Sequence, residues 1–201
     1  KNLSKNILMS PRVKAIKIFY DLESTGLNYF YDHITEIGAV SDNGEKFQTF
    51  VKPPISIPPH ITELTHIDDN MVKDAPDIED AINMFMAFIC SISKGKSIYL
   101  IAHNGNNFDH PFIRRYFYQF KLSIPDITYV DTIPISKQIS PERRSHSLKN
   151  ICKYYNIQQE NAHRADDDAR CLKLAYDNME AKYKEGCQHY NIMHIYQMSH
   201  I

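Results

Sequence analysis

Acidic residues that could hold metal ions occur at three separated places along the 201-residue chain. The first is the triplet 21–23 (DLE), the second is Asp109, and the third is His163 followed by Asp168. Each follows an apolar run or lies in a turn-rich stretch. Carboxylates gathered at the ends of buried strands repel one another unless a cation neutralises them. Four carboxylates and one imidazole in this order therefore suggest a hydrolytic site with hard divalent metal ions.

The first triplet and Asp109 each have an ordinary structural explanation when taken alone. Side chains two residues apart on a strand point to the same side, so Asp21 and Glu23 can share a cation or simply face water. Asp109 follows a polar Gly/Asn loop and opens a predicted helix, where a first-turn aspartate commonly stabilises the N-terminus. The neighbouring His103 and Asn104 favour a working site over that simpler interpretation.

The third cluster, residues 163–168 (HRADDD), contains three adjacent carboxylates. Asp166 and Asp167 are interpreted as first-turn acids that complement the helix dipole. Helical spacing would pair His163 with Asp167, but residues 160–162 (ENA) indicate that His163 lies in the loop before the helix. The cluster therefore offers carboxylates at the start of a helix, with an imidazole just ahead of them.

The elements that position these residues alternate between strands and helices. Strands are predicted over 15–20, 34–40, 46–51, 97–102 and 127–130, with the first ending directly on Asp21 and residues 42–44 (DNG) forming a hairpin turn. Helices are predicted over 61–67, 78–92, 108–121 and 165–184, and Ser145 or Ser147 caps another that runs to Tyr155. This order predicts an α/β fold with a mixed β-sheet flanked by helices on both faces.

The length and charge of the chain set broad limits on its organisation. Its residues fit one domain, predicted over 1–201 with a basic N-terminal extension (1–14) and a C-terminal tail (185–201). The net charge of −1 excludes a strong global attraction to nucleic acid, but a local basic rim is enough for such binding. The residues of the predicted rim, each of which singly is more often a surface charge, are Arg114, Arg115, Arg143, Arg144 and Lys149.

Membrane and secretory signals are missing from the sequence. No apolar stretch approaches the roughly 20 residues of a membrane span, and the apolar run 7–9 (ILM) is too short for a signal peptide. The cysteines form no CxxC pair, which predicts reduced thiols in an intracellular protein of the cytoplasm or nucleus. A zinc site in the tail is the weaker alternative, because Cys187, His189, His194 and His200 match no zinc spacing pattern.

Taken together, the three clusters resemble the motifs of a known family. Residues 19–27 (FYDLESTGL), 101–112 (IAHNGNNFDHPF) and 163–168 (HRADDD) are similar, in this order, to the three motifs of the DnaQ-like, or DEDDh, 3′→5′ exonucleases. The second motif is closest to the three-prime repair exonucleases (the TREX group). Residues 61–76 also resemble the family, except that His66 stands where glycine is usual. The resemblance makes the chain a single exonuclease domain.

The resemblance implies a fold, a cofactor and roles for the clustered residues. It implies a ribonuclease H-like fold and hydrolysis of phosphodiester bonds with two Mg²⁺ ions, for which Mn²⁺ can substitute. Asp21, Glu23, Asp109 and Asp168 would hold the metal ions, while His163, on a mobile loop, would be the general base. Oxygen ligands suit Mg²⁺ better than Zn²⁺.

The same resemblance implies a substrate, the 3′ end of single-stranded DNA or RNA, with DNA favoured. Its binding residues would be Glu23, Ser24, Thr25, Leu27, Asn104 and Phe108, and Leu27 would wedge between the last bases. No membrane partner is expected, and a homodimer and association with a polymerase are both left open. The alternative is a catalytically silent nucleic-acid-binding module with an exonuclease fold. That all five family positions are filled favours the enzyme.

Overall fold

The strand that carries the first pair of acids, β1 (Ile16–Ser24), lies in the middle of a five-stranded mixed sheet. The structure is a computed structural model that describes residues 15–186 and Ile192. On one side of β1, β2 (Ile34–Ser41) pairs antiparallel with it and β3 (Lys46–Phe50) pairs antiparallel with β2. On the other side, β4 (Ile98–Ala102) pairs parallel with β1 and β5 (Ile127–Asp131) pairs parallel with β4. The predicted mixed sheet is therefore confirmed.

Two sequence predictions fall outside the described residues. They are the basic extension over 1–14 and the weaker zinc alternative, which rests on Cys187, His189, His194 and His200. Within the described part of the chain, none of the helices is long and apolar enough to cross a membrane.

β1 is longer than the sequence indicates, and its additional residues include the acids. The predicted strand ended at Tyr20, whereas the observed strand continues to Ser24. The acidic residues stay in the strand because β2 pairs with them, with Glu23 opposite Glu36. The prediction that the strand ends directly on Asp21 is therefore wrong, and both carboxylates lie within the central strand.

The helices agree with the predicted ones to within two residues at each end, apart from two short helices that were not predicted. Within the described residues they are α1 (Pro59–Thr65), α2 (Asp69–Val72), α3 (Ile78–Ser93), α4 (Asp109–Gln119), α5 (Thr132–Ile139), α6 (Leu148–Tyr154) and α7 (Ala165–Gly186). Ser147 caps α6 by accepting a hydrogen bond from the Asn150 N–H. The missed helices, α2 and α5, are too short to show helical periodicity, although each has an aspartate N-cap. α7 extends two residues into the predicted tail.

Each face of the sheet is covered by its own layer of helices. Ile18, Tyr20 and Leu22 of β1 pack into a core with α3 and α4, whereas Phe19 packs into a second core with α5 and α7. Alternate residues of a strand point to opposite faces, so Asp21 and Glu23 share the face of Phe19. The acids of β1 therefore face α7, the helix that carries the third cluster.

A glycine of β2 lets the start of α7 lie directly on the sheet. A Cβ atom at Gly38 would overlap the backbone of Ala165, the first residue of α7. Any larger side chain at this position would push the helix away from the sheet. Because Asp168 is three residues further along α7, this contact helps to set the distance between Asp168 and β1.

The turn after α1 keeps the shape of a glycine turn although it contains histidine. His66 caps α1 in the left-handed conformation, with φ of 58°, and its N–H donates to the Thr62 carbonyl at 2.8 Å. A side chain in this conformation costs about 1–2 kcal/mol, whereas glycine adopts it without that cost. The departure of His66 from the family pattern therefore leaves the turn intact but strained.

His66→Gly should stabilise the fold by up to about 1 kcal/mol, because relief of the left-handed strain exceeds the entropy that glycine adds to the unfolded chain. Chemical denaturation monitored by circular dichroism measures the change. His60→Gly is the matched control, since His60 is an exposed residue in the first turn of α1 and its replacement should destabilise by about 0.3–0.5 kcal/mol. A loss of stability in His66→Gly equal to that in His60→Gly would contradict the strain.

Candidate functional site

Two acids and one imidazole from β1 and the third cluster meet beside the sheet. Glu23, Asp168 and His163 each offer one ligand atom, and these three atoms lie within 4.8 Å of one another. Glu23 and Asp168 are buried, while His163 is exposed. The structure therefore brings the first and third predicted clusters together.

Asp109, the second predicted position, reaches the same place from the opposite side of β1. It is the first residue of α4 and is 1% exposed. Its Oδ1 atom accepts a hydrogen bond of 3.1 Å from the backbone N–H of Leu22, the residue between Asp21 and Glu23. Asp109 and Asp168 therefore both lie beside the segment of β1 that carries Asp21 and Glu23.

The electrostatics of these acids show strong mutual repulsion. Burial raises the pKa of Asp21 well above its usual range, and the charges of Asp109 and Glu23 raise it further. Burial is also the main cause that raises the pKa of Glu23 to about 9, followed by the charge of Asp168. The pKa of Asp109 is raised to about 8 by burial, against the opposing effect of its backbone hydrogen bonds. The cluster therefore disfavours four ionised carboxylates in the absence of a cation.

The donor set fits a hard divalent cation. In the part of the chain that the structure describes, no N–H or O–H group donates to the side chains of Asp21 or Glu23. Buried acids without donors are costly unless a positive charge compensates them. A bound Mg²⁺ or Mn²⁺ would favour the ionised forms and supply that charge.

The loop before α7 is held beside the acid cluster by Asp168. The backbone N–H of His163 donates to Asp168 Oδ2 at 3.0 Å, and Gln159 Nε2 donates to Asp168 Oδ1, also at 3.0 Å. His163 has a positive φ of 64° and precedes the helix, as residues 160–162 indicated. Its side chain therefore projects from a turn rather than from a helix, beside Glu23 and Asp168.

A buried ion pair that the sequence did not reveal anchors this loop to the sheet. Glu36 of β2 is fully buried and accepts from Arg164 Nε at 3.1 Å, from Arg164 Nη2 at 2.9 Å and from the Ala165 N–H at 3.1 Å. Glu36 is also the cross-strand neighbour of Glu23. Because Arg164 directly follows His163, the pair fixes the position from which the imidazole projects. No local pattern connects residues 128 apart in the chain.

Asp167 differs from the prediction, whereas Asp166 is exposed as expected of a first-turn acid. Asp167 is 7% exposed and accepts from the N–H groups of Glu160 and Asn161 at 2.8 and 2.9 Å. Arg170 also donates to it, through Nε at 2.9 Å and Nη2 at 2.6 Å. Asp167 is a first-turn acid of α7 as predicted, but it is buried and has a further role that the sequence did not indicate, because its carboxylate ties the 160–161 turn to α7.

A second missed acid, Asp131, shapes the loop that leads to Asp109. Asp131 ends β5, is 3% exposed and accepts from the N–H groups of Asn104 and Asn106 at 3.1 and 3.2 Å. It also caps α5 by accepting from the Ile133 N–H. The sequence held a signal for it, since Asp131 follows an apolar strand just as Asp21 follows the apolar start of β1.

The predicted substrate-binding residues lie around this cluster with different exposures. Leu27 is 83% exposed at the tip of the loop after β1, as a wedge requires. Thr25 is buried, and its N–H donates to the His33 carbonyl at 2.8 Å, so that group is already bonded within the loop. Asn104 is exposed, while Phe108 is half-buried against Phe112. Ser24 is buried and donates its hydroxyl to the Gly26 carbonyl.

Known proteins share the part of the chain that contains the cluster. A model of a family described as exonuclease (RNase_T) matches residues 18–176, which include all five clustered positions. Relatives in curated proteins are PolC-type DNA polymerase III chains, at 35% identity over 172 residues in Caldanaerobacter subterraneus and 39% over 177 residues in Ureaplasma parvum. These alignments cover 84% and 83% of this chain but 12% of each relative, so the chain spans about an eighth of their length.

Solved structures with the same fold include exonuclease I of E. coli. Its complex with a dT13 oligonucleotide has a TM-score of 0.71 at 20% identity, over 86% of this chain and 42% of that one. The zinc-bound form of its complex with single-stranded DNA has a TM-score of 0.67 at 20% identity, over 87% and 41% of the two chains. At this identity the likeness concerns the fold alone, and it confirms the predicted ribonuclease H-like architecture.

Asp167→Asn should destabilise the protein by about 1–3 kcal/mol, because it weakens a buried carboxylate that accepts charged and backbone donors. Asp166→Asn is the matched control, and its cost should stay below about 1 kcal/mol. Thermal and denaturant unfolding measure both. Faster hydrogen exchange of residues 160–163 is expected in Asp167→Asn only. Equal stabilities of the two variants would show that the Asp167 hydrogen bonds do not hold the turn.

Glu23→Gln should become more stable relative to the parent as pH rises. The pKa of Glu23 is raised from 4.5 to about 9, so the unfolded chain releases this proton at lower pH than the folded chain does. The stability that the protonated group contributes is present below about pH 4.5 and is lost as pH rises towards 9. The variant has no such loss, so in EDTA its melting temperature should increase relative to the parent between these limits.

Divalent cations should stabilise the parent more than the Glu23→Gln variant, which is the reverse of the difference expected in EDTA. Mn²⁺ should raise the melting temperature of the parent at pH 8 and should raise that of Glu23→Gln much less, because the variant lacks one anionic ligand. Thermal unfolding at several pH values, in EDTA and in Mn²⁺, measures both effects. A melting-temperature difference in EDTA that does not change with pH would refute the raised pKa.

Proposed function

The chain belongs to the exonuclease family, and we propose that it removes nucleotides from the 3′ end of single-stranded nucleic acid by metal-dependent hydrolysis. The observation that carries this proposal is the convergence of Asp21, Glu23, Asp109 and Asp168 around one segment of β1, with His163 beside them. Structural acids such as Glu36 and Asp167 have donors, whereas Asp21 and Glu23 lack them within the described part of the chain. An acid without a donor is one that remains available to a cation.

The metal ligands in this proposal are the four converging acids. Two Mg²⁺ ions, or Mn²⁺ in their place, would be held by Asp21, Glu23, Asp109 and Asp168. Bound there, such ions supply charge neutralisation at the scissile phosphate and a lowered pKa of the attacking water. The backbones of these acids belong to a paired strand and to the starts of two helices, so the positions of the four carboxylates relative to one another are fixed.

His163 is the general base in this proposal, and one of its ring nitrogens would accept a proton from the attacking water. The ring is exposed, and one of its nitrogens lies within 4.8 Å of carboxylate oxygens of Glu23 and Asp168. A neutral imidazole has a ring nitrogen that can accept a proton, which suits a general base. The Glu36–Arg164 ion pair and the backbone bond to Asp168 support this position, because they fix the chain on both sides of the ring.

In this proposal, the loop after β1 and the start of α4 bind the 3′ end of the substrate strand. The exposed Leu27 is suited to separate the terminal base from its neighbour, while Phe108 is the N-cap of α4 next to Asp109 and Asn104 lies in the loop between β4 and α4. Backbone groups around Glu23 and Ser24 would hold the terminal nucleotide. Single strands are favoured because a wedge must unstack the last base.

DNA is the favoured polymer, with RNA as the second choice. The names of the relatives, PolC-type DNA polymerase III, support a DNA substrate and a role beside a polymerase. The oligonucleotide complexes of exonuclease I concern a protein with the same fold. The closeness of the second motif to the three-prime repair group and the homodimer remain predictions, and sedimentation of the purified chain tests the latter.

The decisive experiment is digestion of DNA and RNA strands that carry a label at the 5′ end. The parent should produce a ladder that shortens from the 3′ end in Mg²⁺ or Mn²⁺, and no products in EDTA. Asp21→Ala should abolish this ladder. His163→Ala should lower turnover by a factor of roughly 10²–10⁴ and remove the rise in rate between about pH 5.5 and 8.

Asp166→Asn is the matched control for the activity series, since Asp166 is an exposed neighbour of the cluster. It should digest both strands at the rate of the parent. Binding of the strands without any cleavage in Mg²⁺ or Mn²⁺ would instead support the catalytically silent module. An unchanged pH profile in His163→Ala would remove the histidine from the reaction, and normal cleavage by Asp21→Ala would refute the site.

A further inference from the structure

A groove of about 1170 Å³ runs along α4 on the face of the sheet opposite α7. Its walls are the loop after β1, the outer side of α4, and the start of β5 with the segment before it. The lining residues are Tyr29, Phe30, Pro111, Arg114, Arg115, Phe117, Tyr118, Gln119, Lys121, Leu122, Ile124, Ile127 and Tyr129. The acid cluster uses none of them.

The charge of the groove differs from that of the whole chain. Arg114, Arg115 and Lys121 line it, and no Asp or Glu does, although the chain has a net charge of −1. Arg115 donates to the carbonyls of Tyr29 and Asp32 and so holds the loop after β1 against α4. Its positive charge lines the groove. A groove with three cations and no acid attracts an anionic chain.

The groove also presents aromatic side chains that have little cover. Tyr118 is 87% exposed and Phe30 is 64% exposed. Arg114 and Tyr118 are four residues apart on α4 and therefore lie on the same side of the helix. Alternating cations and exposed rings suit a strand whose phosphates and bases must be bound at the same time.

One end of the groove is formed by residues that are close in the chain to the proposed catalytic site. Phe30 belongs to the loop that carries Leu27, and Pro111 follows Asp109 by two residues on α4. From Pro111 to Gln119 the helix rises by about 12 Å at roughly 1.5 Å per residue. This length accommodates about three stacked nucleotides at roughly 3.4 Å each.

We propose that this groove binds the upstream part of the single strand whose 3′ end lies at the acid cluster. This proposal rests on the proposed function and extends it, because it names the path of the substrate beyond the terminal nucleotides. Arg114 and Lys121 contact phosphates, and Phe30 and Tyr118 stack on bases. Longer strands should therefore bind more tightly than strands that reach only the terminal site.

The test compares the binding of 5′-fluorescent oligothymidylates of three and twelve nucleotides in EDTA, where no cleavage occurs. Arg114→Ala and Tyr118→Ala should each weaken binding of the twelve-nucleotide strand about tenfold, as loss of a stacking or phosphate contact does. Binding of the three-nucleotide strand should change less than twofold. In Mg²⁺, both variants should raise KM for the long strand while kcat stays at the parent value.

The matched controls are Lys153→Ala and Tyr154→Ala. Lys153 is exposed on α6, and Tyr154 is half exposed on the same helix with two cations over its ring, on the other side of the sheet. Both controls should bind the long strand as the parent does. Equal weakening by Arg114→Ala and Lys153→Ala would mean that only general charge matters, which overturns the groove as the path.

The outcomes separate this proposal from the proposed function. If the parent binds the long strand and only the groove variants weaken it, the groove is supported even when no cleavage is observed. If the parent cleaves the strand but the groove variants bind it with unchanged affinity, the groove proposal fails and the catalytic proposal stands. If Tyr118→Ala abolishes self-association in sedimentation and leaves strand binding unchanged, the groove is a protein interface instead.

Discussion

The burial and mutual repulsion of four clustered carboxylates, of which three are buried and Asp21 is half-buried, are the constraint on which the rest of this structure depends. Asp21 and Glu23 lie within the central strand, and Asp109 and Asp168 approach them from the starts of two helices on opposite faces. Such an arrangement raises the free energy of the metal-free fold, because burial and like charge both disfavour ionisation. A fold that keeps these acids together must hold them by contacts elsewhere.

Those contacts come mainly from other acids that have donors. Glu36 binds Arg164 and the first backbone N–H of α7, and Asp131 binds the loop that leads into α4. Asp167 in turn binds the turn at residues 160–161. Acids with different surroundings therefore lie within a short distance of one another. Glu36, Asp131 and Asp167 accept from several N–H groups and support the backbone, whereas Asp21 and Glu23 have no donor among the described residues. Asp109 and Asp168 combine the two, since each accepts from a backbone N–H group and also lies in the acid cluster.

The two faces of the sheet have different roles in this arrangement. The face covered by α7 carries the acids of β1 and the imidazole, and its geometry depends on the close approach of Ala165 to Gly38. The face covered by α3 and α4 carries most of the aromatic core, including Tyr20, and the groove beside α4. Asp109 connects the two faces, because its hydrogen bond to Leu22 reaches the strand that both faces share.

The sequence by itself determined the sheet, the long helices and the candidate acids. Apolar periodicity, the Asn-Gly turn and the order of the motifs are local signals, and they were sufficient to name Asp21, Glu23, Asp109, Asp168 and His163 as candidates. The tertiary structure decided which acids lie in the cluster and which support the backbone. Asp167 and Asp168 are adjacent in sequence and look alike there. Asp167 accepts from Arg170 and from the turn at residues 160–161, whereas Asp168 accepts from His163 and Gln159 and has a carboxylate oxygen within 4.8 Å of Glu23. The length of β1, the Glu36–Arg164 ion pair and the groove along α4 likewise depend on residues far apart in the chain, so no local pattern could reveal them.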